Sequence, residues 1–247
     1  MREPLSASRR ALLRAAFTAL GVAATARPTW AEVAALRRTP PQSRGPFYPL
    51  ELPLDRDNDL VQVAGRPGLA RGEIANVVGR VLTERGRPVA GARVEIWQCN
   101  AWGRYHHPWD RRDVPLDPNF QGYGQFVTGP DGAYRFRTIK PVPYPGRAPH
   151  IHVAVSGREF EPLITQLYVA GAPENARDAV LNSIPDPEAR ARLIVPFEPD
   201  PTSPRGELLA RFDIVLAADG RFGRPDAEYR GLARPWGSPA RLVHVRG

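Results

Sequence analysis

The sequence predicts an all-β protein: an antiparallel-rich β-sandwich with long loops and one or two short helices. Three observations favour this class. The 247 residues include 28 prolines and 22 glycines, residue types that remove backbone donors or weaken helix interiors. Short segments rich in β-branched and aromatic residues alternate with turn sequences. No repeat of solenoid or propeller period is visible, and the length suits one sandwich core.

Six segments have the composition and the boundaries of β-strands. Each is rich in β-branched or aromatic residues and ends at a turn or loop, as the first does at residues 85–88. The predicted strands are residues 73–83, 91–99, 133–137, 150–155, 163–169 and 211–216. One short helix is predicted over residues 173–184, because its first turn is acidic and its apolar residues recur at helical spacing.

The N-terminus has the pattern of an export signal. A twin-arginine motif at Arg9 and Arg10 precedes a weakly apolar stretch over residues 11–26. That stretch is too short and too rich in alanine for a stable membrane span, so no membrane-embedded segment is predicted. The sequence therefore predicts a twin-arginine signal peptide at residues 1–31 and a periplasmic or secreted protein. A disordered or amphipathic N-terminal helix is the alternative.

The rest of the chain divides into an arm and one domain. Residues 32–72 are rich in proline, glycine and charge, and we interpret them as an extended arm laid over a domain at residues 73–247. The formal charge is +8, and Lys140 is the only lysine among 34 basic residues. The arginines are scattered among acidic residues, so no nucleic-acid partner is predicted. The single cysteine, Cys99, is predicted to be a small buried side chain.

The segment around His150 and His152 carries the first indication of chemistry. Side chains alternate between the two faces of a strand, so Ile151, Val153 and Val155 share one face and the histidines share the other. The apolar face is expected to pack on the core. The imidazoles then project together, close enough to bind one metal ion. Two surface histidines would show the same pattern, so this motif alone does not decide.

Two tyrosines precede the histidines in loop sequences. Tyr144 lies in the proline-rich run 141–145, and Tyr105 lies in the run 102–107. No carboxylate occupies comparable positions, so the facial triad of iron(II) oxygenases is not indicated. A trivalent cation favours phenolate, and two tyrosinates with one hydroxide would neutralise Fe(III). Zinc or copper gains less from two phenolates, but a zinc or copper site for hydrolysis or oxidation stays open.

At these residues the sequence resembles the intradiol ring-cleavage dioxygenases, most closely the group of protocatechuate 3,4-dioxygenase β subunits. The resemblance runs from about residue 45 to residue 216, and several motifs occur in order at consistent spacing. They are residues 91–98, 103–105, 116–120, 136–141, 143–145, 150–152, 163–168 and 211–216. The resemblance implies that residues 73–247 form an intradiol dioxygenase-like catalytic domain.

The resemblance also implies an Fe(III) cofactor and its ligands. Tyr105 would be the equatorial tyrosinate and Tyr144 the axial one, with His150 equatorial and His152 axial. The implied reaction cleaves a catechol-type ring between its two hydroxylated carbons and incorporates both atoms of O2, giving a cis,cis-muconate. The implied partners are that substrate, O2, and either further copies of this chain or an α-type subunit.

Three residues have implied roles in catalysis and substrate binding. Tyr144 would leave the metal when substrate binds and act as a base. Arg147 matches the active-site arginine of the family and would stabilise negative charge on the substrate. Gln166 matches a glutamine that lines the pocket.

Without the resemblance, each residue has a simpler interpretation. Tyr105 could be a packed aromatic side chain, Arg147 a solvent-exposed charge in a loop, and Gln166 a polar strand residue that is hydrogen-bonded to the backbone. The alternative function is then an exported, non-catalytic sandwich that binds an aromatic or a glycan and has a vestigial metal site.

The sequence departs from the protocatechuate enzymes between Tyr144 and His150. This loop is shorter, Gly146 stands where those enzymes carry a tryptophan, and an arginine beside it is missing. We therefore expect a more open pocket that tolerates bulkier or uncharged ring substituents. In this loop no obvious local cation other than Arg147 remains for a substrate carboxylate.

Overall fold

The computed structural model describes residues 35–53, 55–157, 160 and 162–217. The predicted signal peptide at residues 1–31 lies outside the described residues, as do residues 32–34 of the predicted arm and 218–247 of the predicted domain. All described residues belong to a structural unit that begins at Ala35. The division into signal peptide, arm and catalytic domain stays a prediction.

The described residues form ten strands, one 3-10 helix and two short α-helices. The strands are β1 Ile74–Thr83, β2 Arg93–Trp97, β3 Tyr123–Val127, β4 Ala133–Ile139, β5 His150–Ser156, β6 Leu163–Val169, β7 Ile194–Val195, β8 Glu198–Pro199, β9 Leu208–Arg211 and β10 Ile214–Leu216. The 3-10 helix is Pro173–Ala176, and the α-helices are α1 Ala179–Asn182 and α2 Pro187–Ala191. This architecture confirms the predicted all-β sandwich with long loops and few helices. No helix of the described part of the chain is both long enough and apolar enough to cross a bilayer.

The strands form two mixed five-stranded sheets. In the first, β1 pairs antiparallel with β4 and parallel with β9 and β10, and β8 pairs with β9. The second has the order β3-β2-β5-β6-β7, in which all but the last pairing are antiparallel. Antiparallel pairings thus predominate, as predicted.

The main core lies between the two sheets. It contains Val77 and Phe136 from the first sheet, and Ile96, Ile151 and Val153 from the second. The period of two then directs the intervening residues of β2, β5 and β6 to the opposite, outer face of the second sheet. Cross-strand pairing aligns Trp97 of β2, His152 of β5 and Gln166 of β6 on that face. The fold therefore places the two predicted histidine ligands on the outer face of the second sheet.

The predicted strand over residues 211–216 is two strands. The chain breaks at Phe212 and Asp213, where the Asp213 carboxylate accepts the Arg80 backbone N–H. The Phe212 carbonyl accepts the Tyr134 hydroxyl at 2.5 Å. A Cβ at Gly79 would collide with this carbonyl, so the glycine of β1 allows the close approach. β9 and β10 consequently follow one another along the same edge of β1.

Two further differences concern the helix over residues 173–184 and strand β3. The predicted helix is a 3-10 helix and α1, separated at Arg177 and Asp178, because the Asp178 side chain caps the backbone N–H of Leu181 instead of continuing the helix. Strand β3 was missed because Gly124 weakens its strand pattern. That glycine is needed, since a Cβ there would collide with the Asp57 carbonyl of a crossing segment.

Candidate metal centre

His150 and His152 project together from the outer face of the second sheet. Their side chains are buried, and their Nε2 atoms lie 3.3 Å apart. Because Ile151 between them enters the main core, the strand itself fixes their common direction. The structure thus brings the two imidazoles close together, and both are buried rather than exposed on the surface.

Each imidazole is held by one additional contact. His150 Nδ1–H donates to the Ala148 carbonyl at 2.6 Å, which leaves Nε2 unprotonated and facing Nε2 of His152. The His152 ring stacks on the Trp97 indole, with ring centroids 4.8 Å apart and planes 5° apart. Burial, with the nearby Arg147 charge, lowers the pKa of His150 to about 3, and burial together with His150 lowers the pKa of His152 well below its usual value. Both rings are therefore neutral, which is the metal-binding form.

Tyr105 and Tyr144 complete the cluster from two loops. Their ring centroids are 5.8 Å apart, and Tyr144 lies 5.4 Å from the ring of His150. The loops approach closely at Gly103, whose φ is +79° and where a Cβ would lie 3.2 Å from the Pro143 carbonyl oxygen. A side chain at this position would push the tyrosines apart. Tertiary structure therefore gathers all four predicted ligand side chains.

The Tyr105 hydroxyl is an unsatisfied polar group of the cluster, as is Nδ1 of His152. The hydroxyl is buried and makes no hydrogen bond of ordinary geometry with a described residue, although the Tyr144 hydroxyl lies near enough to affect its pKa. Burial raises the pKa of both phenols, that of Tyr105 well above its ordinary value. A buried hydroxyl without a partner is costly, so this position suits a residue that gives its oxygen to a ligand absent from the protein chain.

The donor set itself fits iron. Among the described residues, no group of three or more His, Cys, Asp or Glu side chains is placed to hold a metal ion. A metal bound here would therefore take phenolate oxygens from Tyr105 and Tyr144 in addition to the two imidazoles. Two anionic, hard oxygen ligands favour Fe(III) over zinc or copper.

Arg147 lies beside the cluster and is held at every side. Its Nε donates to Asp178 at 2.9 Å, and its Nη2 donates to the Gln166 amide oxygen at 2.5 Å and to the Tyr168 hydroxyl at 3.2 Å. Its Nη1 lies 3.5 Å from the Tyr144 hydroxyl. The guanidinium is thus a fixed cation next to a predicted metal ligand rather than a solvated surface charge.

Gln166 is wholly buried and both ends of its amide are occupied. Its oxygen accepts from Arg147, and its Nε2 donates to the Ser43 carbonyl at 2.8 Å. The Tyr168 hydroxyl beside it donates to the Gln42 amide oxygen at 2.7 Å. Gln166 therefore acts on Arg147 in this arrangement, and its predicted contact with substrate stays a prediction.

A cavity of about 580 Å³ opens beside Tyr144 and Arg147. The shortened loop forms one wall, and a Cβ at Gly146 would meet no atom within 4 Å, so this part of the wall is open as expected. The cavity is lined by Pro143, Tyr144, Pro145, Gly146, Arg147, Glu174, Arg177 and Asp178. Arg147 is the cation that the loop itself supplies, and the turn after the 3-10 helix adds a second one, Arg177, at the rim of the cavity. The sequence did not indicate this contact, because Arg177 lies 30 positions after Arg147.

The segment before Leu50 covers the other side of the cluster. Phe47 stacks on Tyr105 at 4.7 Å between ring centroids, and Tyr48 donates to the buried Glu95 carboxylate at 3.1 Å. A Cβ at Gly45 would lie 3.2 Å from Cε1 of His152. Sequence reasoning assigned no role to these residues. The motif over residues 45–49 was visible, but nothing in it indicated which side chains it would meet.

The comparisons with known proteins agree with this geometry. A family model described as "Dioxygenase" matches residues 44–218. The protocatechuate 3,4-dioxygenase beta chain of Burkholderia cepacia is 45% identical over 177 residues, which are 68% of this chain and 74% of that relative. The chain belongs to the intradiol ring-cleavage dioxygenase family. Enzymes of this family use non-haem iron, a metal that the donor set fits.

Other members of the family are similar over smaller regions or at lower identity. A hydroxyquinol 1,2-dioxygenase of Rhizobium sp. (strain MTP-10005) is 38% identical over 128 residues, 44% of this chain and 42% of that relative. The solved dioxygenase domain of a dioxygenase carbohydrate-binding protein fusion from Streptomyces sp. SirexAA-E matches with a TM-score of 0.54 and 29% identity. That match covers 73% of this chain and 99% of the solved one.

Proposed function

We propose that this chain is an exported, non-haem Fe(III) intradiol dioxygenase acting on a catechol-type substrate. It cleaves the ring between the two hydroxylated carbons, incorporates both atoms of O2 and releases a cis,cis-muconate-type dicarboxylate. One observation carries the proposal: two neutral imidazoles and two phenols converge on one buried point, and the Tyr105 hydroxyl there has no partner among the described residues.

The residues that would hold iron are Tyr105, Tyr144, His150 and His152. When bound, Fe(III) withdraws electron density from a chelated catecholate, which makes the ring reactive towards O2. The histidines are fixed by β5, and Tyr105 is fixed through its backbone N–H, which donates to Asp110 at 2.7 Å. Tyr144 is less enclosed, and its phenolate oxygen is placed to accept a proton from a substrate hydroxyl.

Arg147 would act on the substrate through its fixed charge. The guanidinium borders both the cavity and the Tyr144 hydroxyl. Its bonds to Asp178, Gln166 and Tyr168 hold it in place before substrate enters, so little reorganisation is needed when negative charge develops on the ring. Arg147 has no acceptor atom and stays protonated, so it cannot replace a metal ligand.

The substrate class and the partners follow from the open cavity and from the relatives. A space of about 580 Å³ is larger than an unsubstituted single ring requires and suits a catechol with a further substituent. The Burkholderia cepacia relative is named as a beta chain. We propose that this chain assembles either with its own copies or with an α-type subunit.

The proposed chemistry is tested by metal analysis and by substitution of one ligand. Purified protein should hold about one iron per chain, since the site has one set of four donors. Incubation with catechol should consume O2 and form a muconate. Tyr105→Phe should shift and weaken the visible tyrosinate band, whereas Tyr134→Phe should leave it unchanged, because Tyr134 is a buried tyrosine of the main core. Protein that contains zinc or copper instead of iron, or an unchanged band in Tyr105→Phe, would contradict the proposal.

Export is tested separately at Arg9 and Arg10. Lysine at both positions should leave uncleaved precursor in the cytoplasm, because the folded-protein route recognises the arginine pair. Substitution of Arg2 by lysine controls for the change of residue type. Normal periplasmic levels of the double variant would show that residues 1–31 are not a twin-arginine signal peptide.

A further inference from the structure

Arg112, to which the proposed chemistry assigns no role, contacts Tyr144 from the loop that also carries Tyr105. Its guanidinium carbon lies 4.5 Å from the centroid of the Tyr144 ring and 5.7 Å from that of Phe47. The position is partly buried, with 24% of the Arg112 side chain exposed. A cation over an aromatic face is attracted to it, more strongly when water is excluded. Arg112 therefore restrains the ring of a proposed metal ligand.

Arg112 is itself anchored by Asp110. Nε donates to one carboxylate oxygen at 2.7 Å, and Nη2 forms an ion pair with the other. The Asp110 side chain is almost wholly buried, and it also accepts the backbone N–H of Tyr105. Although burial alone would raise the pKa of Asp110, the Arg112 and Tyr105 hydrogen bonds lower it, so the carboxylate stays charged. One carboxylate thus ties the backbone of Tyr105 to the cation over Tyr144.

The remaining nitrogen, Nη1, is buried and has no hydrogen-bond partner among the described residues. Two of the three guanidinium nitrogens therefore bind Asp110, while the third has no hydrogen-bond acceptor among the described residues. An arginine placed only to neutralise Asp110 would not need to hold an unsatisfied donor under the protein surface. The contact with the Tyr144 ring explains why the guanidinium lies there.

We propose that Arg112 is a positioning residue that holds Tyr144 in the orientation pointing at the histidines. This inference rests on the proposed function, in which Tyr144 is the ligand that leaves when substrate binds. Arg147 restrains the same side chain at its hydroxyl, 3.5 Å away. Arg112 restrains the ring, so it favours the substrate-free arrangement and opposes the release of Tyr144.

The variant Arg112→Gln tests the inference, because glutamine can still donate to Asp110 but carries no charge. Arg111→Gln is the matched control, since Arg111 is the exposed neighbour in the same loop. Arg112→Lys should restore part of the effect through its cation. If Arg112→Gln does not fold, Arg112→Lys replaces it and should show a smaller change of the same kind, because it keeps the ion pair but lacks the planar fork.

The first readout uses metal-free protein labelled with 3-fluorotyrosine. The chain has seven tyrosines, and the fluorine signal of Tyr144 is the one absent from Tyr144→Phe. We expect this signal to move or broaden in Arg112→Gln and to stay in place in Arg111→Gln. An unmoved Tyr144 signal in Arg112→Gln, or the same change in both variants, would overturn the inference. Because no iron is present, this result is independent of whether the chain proves to be a dioxygenase.

The second readout uses iron-loaded protein. We expect Arg112→Gln to lose iron to a chelator about tenfold faster than the wild type. We also expect a lower KM for catechol, since the ring of Tyr144 is released more easily. The visible tyrosinate band should shift, while kcat changes less than KM. A purely structural role predicts the opposite sign, a higher KM together with a lower kcat. That outcome would also contradict the inference.

Discussion

The Arg147 guanidinium and the Asp178 carboxylate form an ion pair of 2.9 Å that joins the loop before β5 to the start of α1. Asp178 also accepts the backbone N–H groups of Ala148 and Leu181. Burial would raise the pKa of Asp178, but these backbone bonds, together with Arg147, lower it. The carboxylate is therefore ionised, and it fixes the cation that faces the cavity.

Substitution of Arg147 should separate metal binding from turnover. Arg147→Leu should keep the iron and the colour, because the guanidinium is not a ligand, while kcat falls by about 10²–10³-fold. Its melting temperature should fall as well, since Asp178 loses a buried partner. Asp178→Asn should lower kcat less, because the charge remains but is less well fixed. Loss of iron in Arg147→Leu would show that Arg147 has a structural role in the metal site. Normal turnover would show that its charge does not act on the substrate.

Gly45 should be required for iron retention. In Gly45→Ala the new Cβ would press on Cε1 of His152, whereas in Gly65→Ala it would meet no atom within 4 Å. Both glycines have positive φ, +65° and +76°, so both variants should lose about 1–2 kcal/mol of stability. Only Gly45→Ala should release iron faster to a chelator, by about tenfold or more. Equal release rates in the two variants would show that this contact does not affect the metal.

Arg177 and Glu174 should set the response to charged ring substituents. Both line the cavity, and neither side chain forms an ion pair with a described residue. Arg177→Gln should lower kcat/KM for a catechol with a carboxylate side chain by a few-fold, and Glu174→Gln should raise it, as expected for partly exposed charges. Unsubstituted catechol is the control and should respond little to either change. An effect of equal size on both substrates would exclude charge recognition at this rim.

Stability should depend on pH through Glu207. Burial alone would raise the pKa of this carboxyl, but hydrogen bonds from Arg137 and Asn76 lower it below the usual value. Because the folded pKa is the lower one, the stabilisation is complete above about pH 5 and is lost as the pH falls through the folded pKa. The wild type should therefore melt higher than Glu207→Gln at pH 7, by an amount corresponding to about 1–2 kcal/mol.

The difference between wild type and Glu207→Gln should shrink towards pH 3, as differential scanning calorimetry can measure. Glu198→Gln, at an exposed position of β8, is the control. A difference that persists unchanged at pH 3 would assign the effect to packing rather than to charge.

Local patterns were sufficient for the fold class and for the histidine pair. Alternation along residues 150–155 identified which side chains enter the core, because the period of two is a property of the strand itself. The same reasoning failed for residues 211–216, where hydrogen bonds from Arg80 and Tyr134, both far away in sequence, break the strand. It failed again at Asp178, whose side chain caps the start of α1 and also binds Arg147.

The sequence by itself determined an all-β sandwich and four candidate ligands, since strand alternation is local and the four side chains lie in recognisable motifs. Only the tertiary structure decided that Tyr105 and Tyr144 meet the histidines, because that meeting depends on the close approach of two loops at Gly103. It alone placed Arg112 over Tyr144, Arg177 at the rim and Gly45 against His152. Such contacts join segments separated by 30 to more than 100 residues, and their distances are set by the packing of the whole domain, which no local pattern encodes.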